Sequence, residues 1–273
     1  MLLRAMKTSF QIETLLQRLA DILYAGIPRS RPSLRSLQNC KIVSHRGEHD
    51  NNSVMENTIA AFDRVVERGV WGIELDVRWT IDLKPVVIHD TNCQRVFGKS
   101  LLINKVTLDE LQAEVPGIPS LEQVIQRYAK KVHLMVELKE EEFTDFQSQR
   151  ECLKKLFASL VPAQDFHILA LSQHLFNLVD FIPESALLPV AEFNIGDFSQ
   201  KALQNNYAGV SGQYLLVTNK LIQRHARLNQ KAGTGFVRSR YCFYRELNRG
   251  VEWIFTNHAL EMHAIRSNLL QSK

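Results

Sequence analysis

Cysteine is scarce and scattered. Cys40, Cys93, Cys152 and Cys242 are the four among 273 residues, and no two form a CxxC pair. That spacing reads as reduced thiols in a cytosolic chain and disfavours a disulfide framework. No run approaches the 18 apolar residues that a membrane-spanning helix requires. The opening MLLRAMKTSF lacks the apolar core and small-residue cleavage site of a secretory signal, so a cytoplasmic location is expected. Long Lys/Arg runs are also missing, which argues against a nucleic-acid groove. The net charge of +4 is compatible with an anionic substrate without requiring one. No internal repeat or low-complexity stretch occurs.

Strand and helix signals fill the chain instead. Residues 8–26 form an amphipathic helix by periodicity, with Ile12, Leu15, Leu16, Leu19, Ile22 and Leu23 at spacings of three and four, closed by Pro28 and Pro32. Packing on the main domain is its plain reading; contact with a membrane surface, or a dimer role, is the alternative. Strands are expected at 41–45, 72–77, 132–138, 167–171, 187–191, 208–217, 232–238 and 251–256. Helices are expected at 57–68, 121–128, 145–159, 173–180, 199–205, 219–230 and 242–249. Eight strands alternating with helices favour a closed (β/α)8 TIM barrel over an open sheet. The expected division is an extension at 1–40 and a barrel at 41–273. Residues 85–89 are strand-like but follow strand 72–77 too closely for a parallel crossover, so they read as an antiparallel arm that brings His89 back to the strand ends. A short insertion occupies 91–118.

Chemistry concentrates at the ends of the first three barrel strands. Glu74 and Asp76 stand two apart and share one strand face; Glu137 and Lys139 repeat the spacing. Buried carboxylates need a counter-charge. Three carboxylates without a cysteine cluster suit Mg2+ or Ca2+. His45 and His89 suit acid–base work near neutrality, and Arg46 and Lys139 suit an anionic group, phosphate above all. Spacing alone leaves a metal site and a salt-bridged or solvated set equally open.

Taken together, the motifs resemble the glycerophosphodiester phosphodiesterase family. They are His45-Arg46-Gly47, Glu56-Asn57-Thr58, Glu74-x-Asp76, His89-Asp90, Thr107 with Glu110-Leu111, Ile118-Pro119-Ser120-Leu121 and Glu137-x-Lys139. They are dense from 41 to 139 and sparse beyond. The resemblance implies metal-dependent hydrolysis of a small-molecule phosphodiester to sn-glycerol 3-phosphate and an alcohol. It assigns the metal to Glu74, Asp76 and Glu137, the acid–base pair to His45 and His89, and phosphate binding to Arg46 with Lys139. Glu56 would orient the groups around it.

The later chain departs from that pattern. Phe236 stands near the family's usual tryptophan and is expected at the substrate. Arg238 and Arg240 are as consistent with a phosphate contact as with a solvated pair. Leu83 and Trp253 replace usual glycines, and Thr256-Asn257 replaces Thr-Asp. These changes bear on the alcohol group, so lysophospholipase D-like hydrolysis is an alternative. A non-catalytic barrel that binds phosphorylated ligands would not need both histidines. His167, His174, His225 and His258 are expected to be structural or surface residues, and His133 to serve packing.

Overall fold

A computed structural model of the chain describes residues 22–272. Most of the helix expected at 8–26 lies outside them. Its last residues, 22–26, are helical, with Tyr24 edge-on to Tyr214 at 5.8 Å and beneath the Arg245 guanidinium at 4.7 Å.

Nine strands lie among the described residues: β1 (Lys41–His45), β2 (Gly72–Trp79), β3 (Pro85–Val87), β4 (His133–Leu138), β5 (Phe166–Ala170), β6 (Leu187–Ala191), β7 (Gly209–Gln213), β8 (Lys231–Gly235) and β9 (Trp253–Thr256). All except β3 are parallel, and pairing of β1 with both β9 and β2 closes an eight-stranded barrel. Val43, Met135, Leu169, Leu188, Trp253 and Phe255 fill its interior. A larger apolar layer packs the barrel against its helices. At the N-terminal end, Trp71 stacks on His133 at 4.2 Å, and His167 meets Trp253 edge-on at 5.0 Å. His133 Nε2 and His167 Nδ1 lie 2.7 Å apart, and His133 Nδ1 is 2.9 Å from the Gln164 carbonyl, so both rings belong to the packing there. His225 is likewise satisfied, by Ser199 and Gln230.

β3 is the antiparallel arm, with Val77 opposite Val87 and Trp79 opposite Pro85. The insertion that follows has its own small core, which includes Val86, Ile88, Cys93, Ile103 and Leu111. Several boundaries differ from expectation. β7 stops at Gln213 rather than 217, because Leu216 and Val217 turn back onto the Gln213 carbonyl. β8 stops at Gly235 because Phe236 takes a left-handed backbone, φ 68°. Gln173–Val179 is a 3-10 rather than an α-helix. Four α-helices carried no sequence expectation: Leu34–Asn39, Ala259–Gln271, and Gln94–Phe97 and Leu108–Glu114 within the insertion. No described helix is long and apolar enough to cross a membrane.

Candidate active site

β1 ends at His45, and the chain then turns sharply. Arg46 and Gly47 both take positive φ, 59° and 78°. A Cβ on Gly47 would fall 2.8 Å from Ala61 Cβ and 2.9 Å from Ala61 C, so only glycine fits this approach to the helix Ile59–Val66. The turn lets the Arg46 amide donate to Glu74 Oε2 at 3.1 Å, while its guanidinium reaches Glu56 at 2.9 Å and Asp76 at 3.0 Å. Asn57, also at positive φ, donates to Asp76 Oδ2 at 2.8 Å.

β2 and β4 pair with Asp76 opposite Glu137, which brings the acidic set together. Oxygens of Glu74, Asp76 and Glu137 lie within 4.8 Å of one another, and all three residues are buried. Lys139 Nζ sits 2.7 Å from Asp76 Oδ1 and also pairs with Glu137. Burial, then repulsion from Asp76 and Glu137, pushes the Glu74 carboxyl well above its ordinary value. Burial also raises Glu137, against the pull of Lys139. Asp76 goes the other way: burial opposes ionisation, but Lys139 and Arg46 outweigh it and hold the carboxyl below the usual range. Glu74 Oε1 is buried without a hydrogen-bond partner. An orphaned anionic oxygen beside two further carboxylates is a donor set that fits a hard divalent cation.

The two histidines stand at this centre. His45 Nδ1 is 2.7 Å from Asn257 Oδ1, and its Nε2 is 3.9 Å from Glu74. Burial, reinforced by Arg46, lowers its pKa to about 3, so the ring is neutral near pH 7. His89 Nδ1 lies 2.7 Å from Asp90 Oδ1. Burial again lowers its pKa. A carboxylate or amide oxygen accepts, so in each neutral ring Nδ1 carries the proton and Nε2 keeps the lone pair.

Three positioning contacts had no local sequence signal. Asn257, immediately after β9, orients His45. Arg78 Nε donates to the His89 carbonyl at 2.6 Å while Nη1 reaches Glu141 at 3.1 Å. Arg95, in the insertion, binds Glu56 and Asp90 together. Phe236 lies edge-on to His45, with ring centroids 5.2 Å apart. Arg238 is exposed on the loop after β8, at the same end of the barrel.

Fold and site define a parallel (β/α)8 barrel with a buried acidic centre at its C-terminal mouth. The profile of the glycerophosphoryl diester phosphodiesterase family matches residues 45–261, and the chain belongs to that family. A glycerophosphodiester phosphodiesterase of Caldanaerobacter subterraneus is 44% identical over 77 residues, 28% of this chain and 31% of that relative. The chain spans less than half the length of the curated relatives it matches first. A Parabacteroides distasonis glycerophosphodiester phosphodiesterase shares the fold, with TM-score 0.70 and 21% identity across 85% of this chain and 99% of that one. So does an Oleispira antarctica phosphodiesterase in complex with the product sn-glycerol-3-phosphate, with TM-score 0.68 and 17% identity across 83% and 96%.

Proposed function

We propose that this chain hydrolyses glycerophosphodiesters to sn-glycerol 3-phosphate and an alcohol. The observation that carries the reading is the convergence of three buried carboxylates, two tautomer-fixed histidines, the buried Lys139 and the half-buried Arg46 at one barrel mouth. Family membership, and the product seen in the Oleispira relative, support the substrate class. Residues 41–273 would form the catalytic barrel, with 1–40 an extension of which the described part meets the barrel through Tyr24.

Glu74, Asp76 and Glu137 would hold Mg2+ or Ca2+. The bound ion would polarise the phosphoryl group and offset its charge. When all three carboxylates are ionised they exceed the charges of Arg46 and Lys139 by one; a dication would favour that ionised state, reverse the sign and suit a phosphodiester monoanion. Arg46, fixed by Glu56 and Asp76, presents its guanidinium to phosphate oxygen. Lys139 is a second phosphate contact. One histidine takes the proton of the attacking hydroxyl, from water or the neighbouring glycerol hydroxyl, through its Nε2 lone pair. The other, neutral at rest, must first take up a proton from solvent at Nε2, and gives that proton to the departing alcohol oxygen as the P–O bond breaks. Phe236, packed on His45, borders the alcohol's side.

Product analysis across glycerophosphocholine, glycerophosphoethanolamine, a lysophospholipid and a cyclic phosphate tests the reading. Release of sn-glycerol 3-phosphate from the first two supports it. Cleavage of lysophospholipid alone would overturn the substrate assignment.

A further inference from the structure

The insertion between β3 and β4 has the position of a cap, but one of its residues reaches into the site's supporting network. Arg95 leaves the short helix Gln94–Phe97. Its Nη1 and Nη2 donate to the two carboxylate oxygens of Glu56 at 3.0 and 2.6 Å. Nε donates to Asp90 Oδ2 at 2.6 Å, and Nη2 also reaches Asp90 Oδ1 at 3.1 Å. Both usable edges of the guanidinium are therefore occupied by carboxylates that serve different functional groups. Asp90 fixes the His89 ring, and Glu56 holds Arg46. The result is one unbroken path: His89, Asp90, Arg95, Glu56, Arg46, Asp76.

We propose that Arg95 is a positioning residue that locks the His89 tautomer and the Arg46 guanidinium in register, and that supplying it is a function of the insertion. This rests on the reading of His89 and Arg46 given above. An ordinary surface ion pair contributes little and holds nothing in place. Arg95 differs in three ways. Glu56 is only 5% exposed, the contact to it is bidentate, and each carboxylate has a second partner at the centre. The insertion is also anchored well enough to hold a side chain steady. The Ile81 amide donates to the Val106 carbonyl at 2.9 Å, and the Leu108 amide to Asp82 Oδ1 at 3.1 Å. A lysine would keep the charge but could not span both carboxylates, because it lacks the planar fork.

The test compares Arg95→Ala, Arg95→Lys and Asp90→Asn with the wild-type chain by glycerophosphocholine kinetics and by long-range 1H–15N correlation of the His89 ring. Arg127→Ala is the control, since that arginine makes a bidentate pair with Asp63 on the outside of the barrel. In the wild type, His89 should show a single Nδ1–H tautomer. Arg95→Ala and Asp90→Asn should mix the tautomers and lower kcat by about 10- to 100-fold, the range typical of groups that orient catalytic ligands, with a smaller change in KM. Arg95→Lys should not restore the wild-type tautomer, and if the alanine variant does not fold it supplies the same two readings. Arg127→Ala should change neither. A pure Nδ1–H tautomer with unchanged kcat in a folded Arg95 variant would overturn the proposal. If the wild type hydrolyses no glycerophosphodiester, the substrate reading fails, and the His89 spectrum alone still decides whether Arg95 sets the tautomer.

Discussion

Glu74 combines a high energetic cost with a simple prediction. Its carboxylate is buried, repelled by two neighbours and short of a donor at Oε1. Glu74→Gln keeps the shape and removes the charge. In metal-free protein it should raise stability by about 1–3 kcal/mol, as replacement of poorly compensated buried charge commonly does. The same variant should lose the stabilisation that Mg2+ or Ca2+ gives the wild type, which is about 2.7 kcal/mol at a hundredfold excess over Kd. Urea unfolding of both proteins, with EDTA and with each ion, reads both effects. A variant less stable than wild type in EDTA would contradict the account. Gly47→Ala carries the opposite sign. A left-handed backbone and a 2.8 Å clash with Ala61 predict a loss of about 2–4 kcal/mol in the same experiment.

Among the elements, the arm and insertion show what sequence can and cannot reveal. The few residues between Trp79 and Pro85 rule out a crossover, so the antiparallel arm was legible from spacing. The Glu-x-Asp and Glu-x-Lys pairs were legible because a strand's two-residue period puts each pair on one face, and β2 and β4 are neighbours. Arg95 was not legible. It meets Glu56 across 39 positions, and nothing in Gln94-Arg95-Val96 distinguishes it from a solvated arginine. Arg78 and Glu141 meet across 63 positions, and Asn257 meets His45 across 212. The end of β8 was missed because a phenylalanine gives no local warning of a left-handed backbone. Asp82 yields a prediction at this scale. It accepts from Thr80 Oγ1 at 2.6 Å and from the Leu108 amide at 3.1 Å, tying the arm's turn to the insertion. Asp82→Ala should cost about 1–2 kcal/mol locally. Hydrogen exchange should then accelerate at the Leu108 amide and leave the β4 and β5 amides unchanged. Equal acceleration throughout the barrel would show that the insertion does not open independently.

For the whole molecule, the two ends of the barrel have different duties. The N-terminal end is closed by packed indoles and imidazoles, the C-terminal end by charge. Burial lowers the pKa of His133 to about 4 and, with repulsion from His133, that of His167 to about 3. Between pH 6.5 and 4 the unfolded chain takes up protons that these buried rings refuse. Their contribution to stability is therefore intact above pH 6.5 and is lost as pH falls. One such histidine accounts for about 2 kcal/mol between pH 7 and pH 5. His167→Gln should flatten the decline, as read by denaturant unfolding at several pH values; an unchanged slope would contradict the assignment. At the other end, the central claim is that the three carboxylates and two histidines act as one metal-dependent centre. The most direct test is release of sn-glycerol 3-phosphate from glycerophosphocholine by the full chain, stripped with EDTA and then given Mg2+ or Ca2+, with His45→Ala and His89→Ala in parallel. The account predicts no product without metal, recovery when it is restored, and a loss of about 10²–10⁴-fold in each histidine variant. Undiminished turnover after complete metal removal, or in both histidine variants, would contradict it.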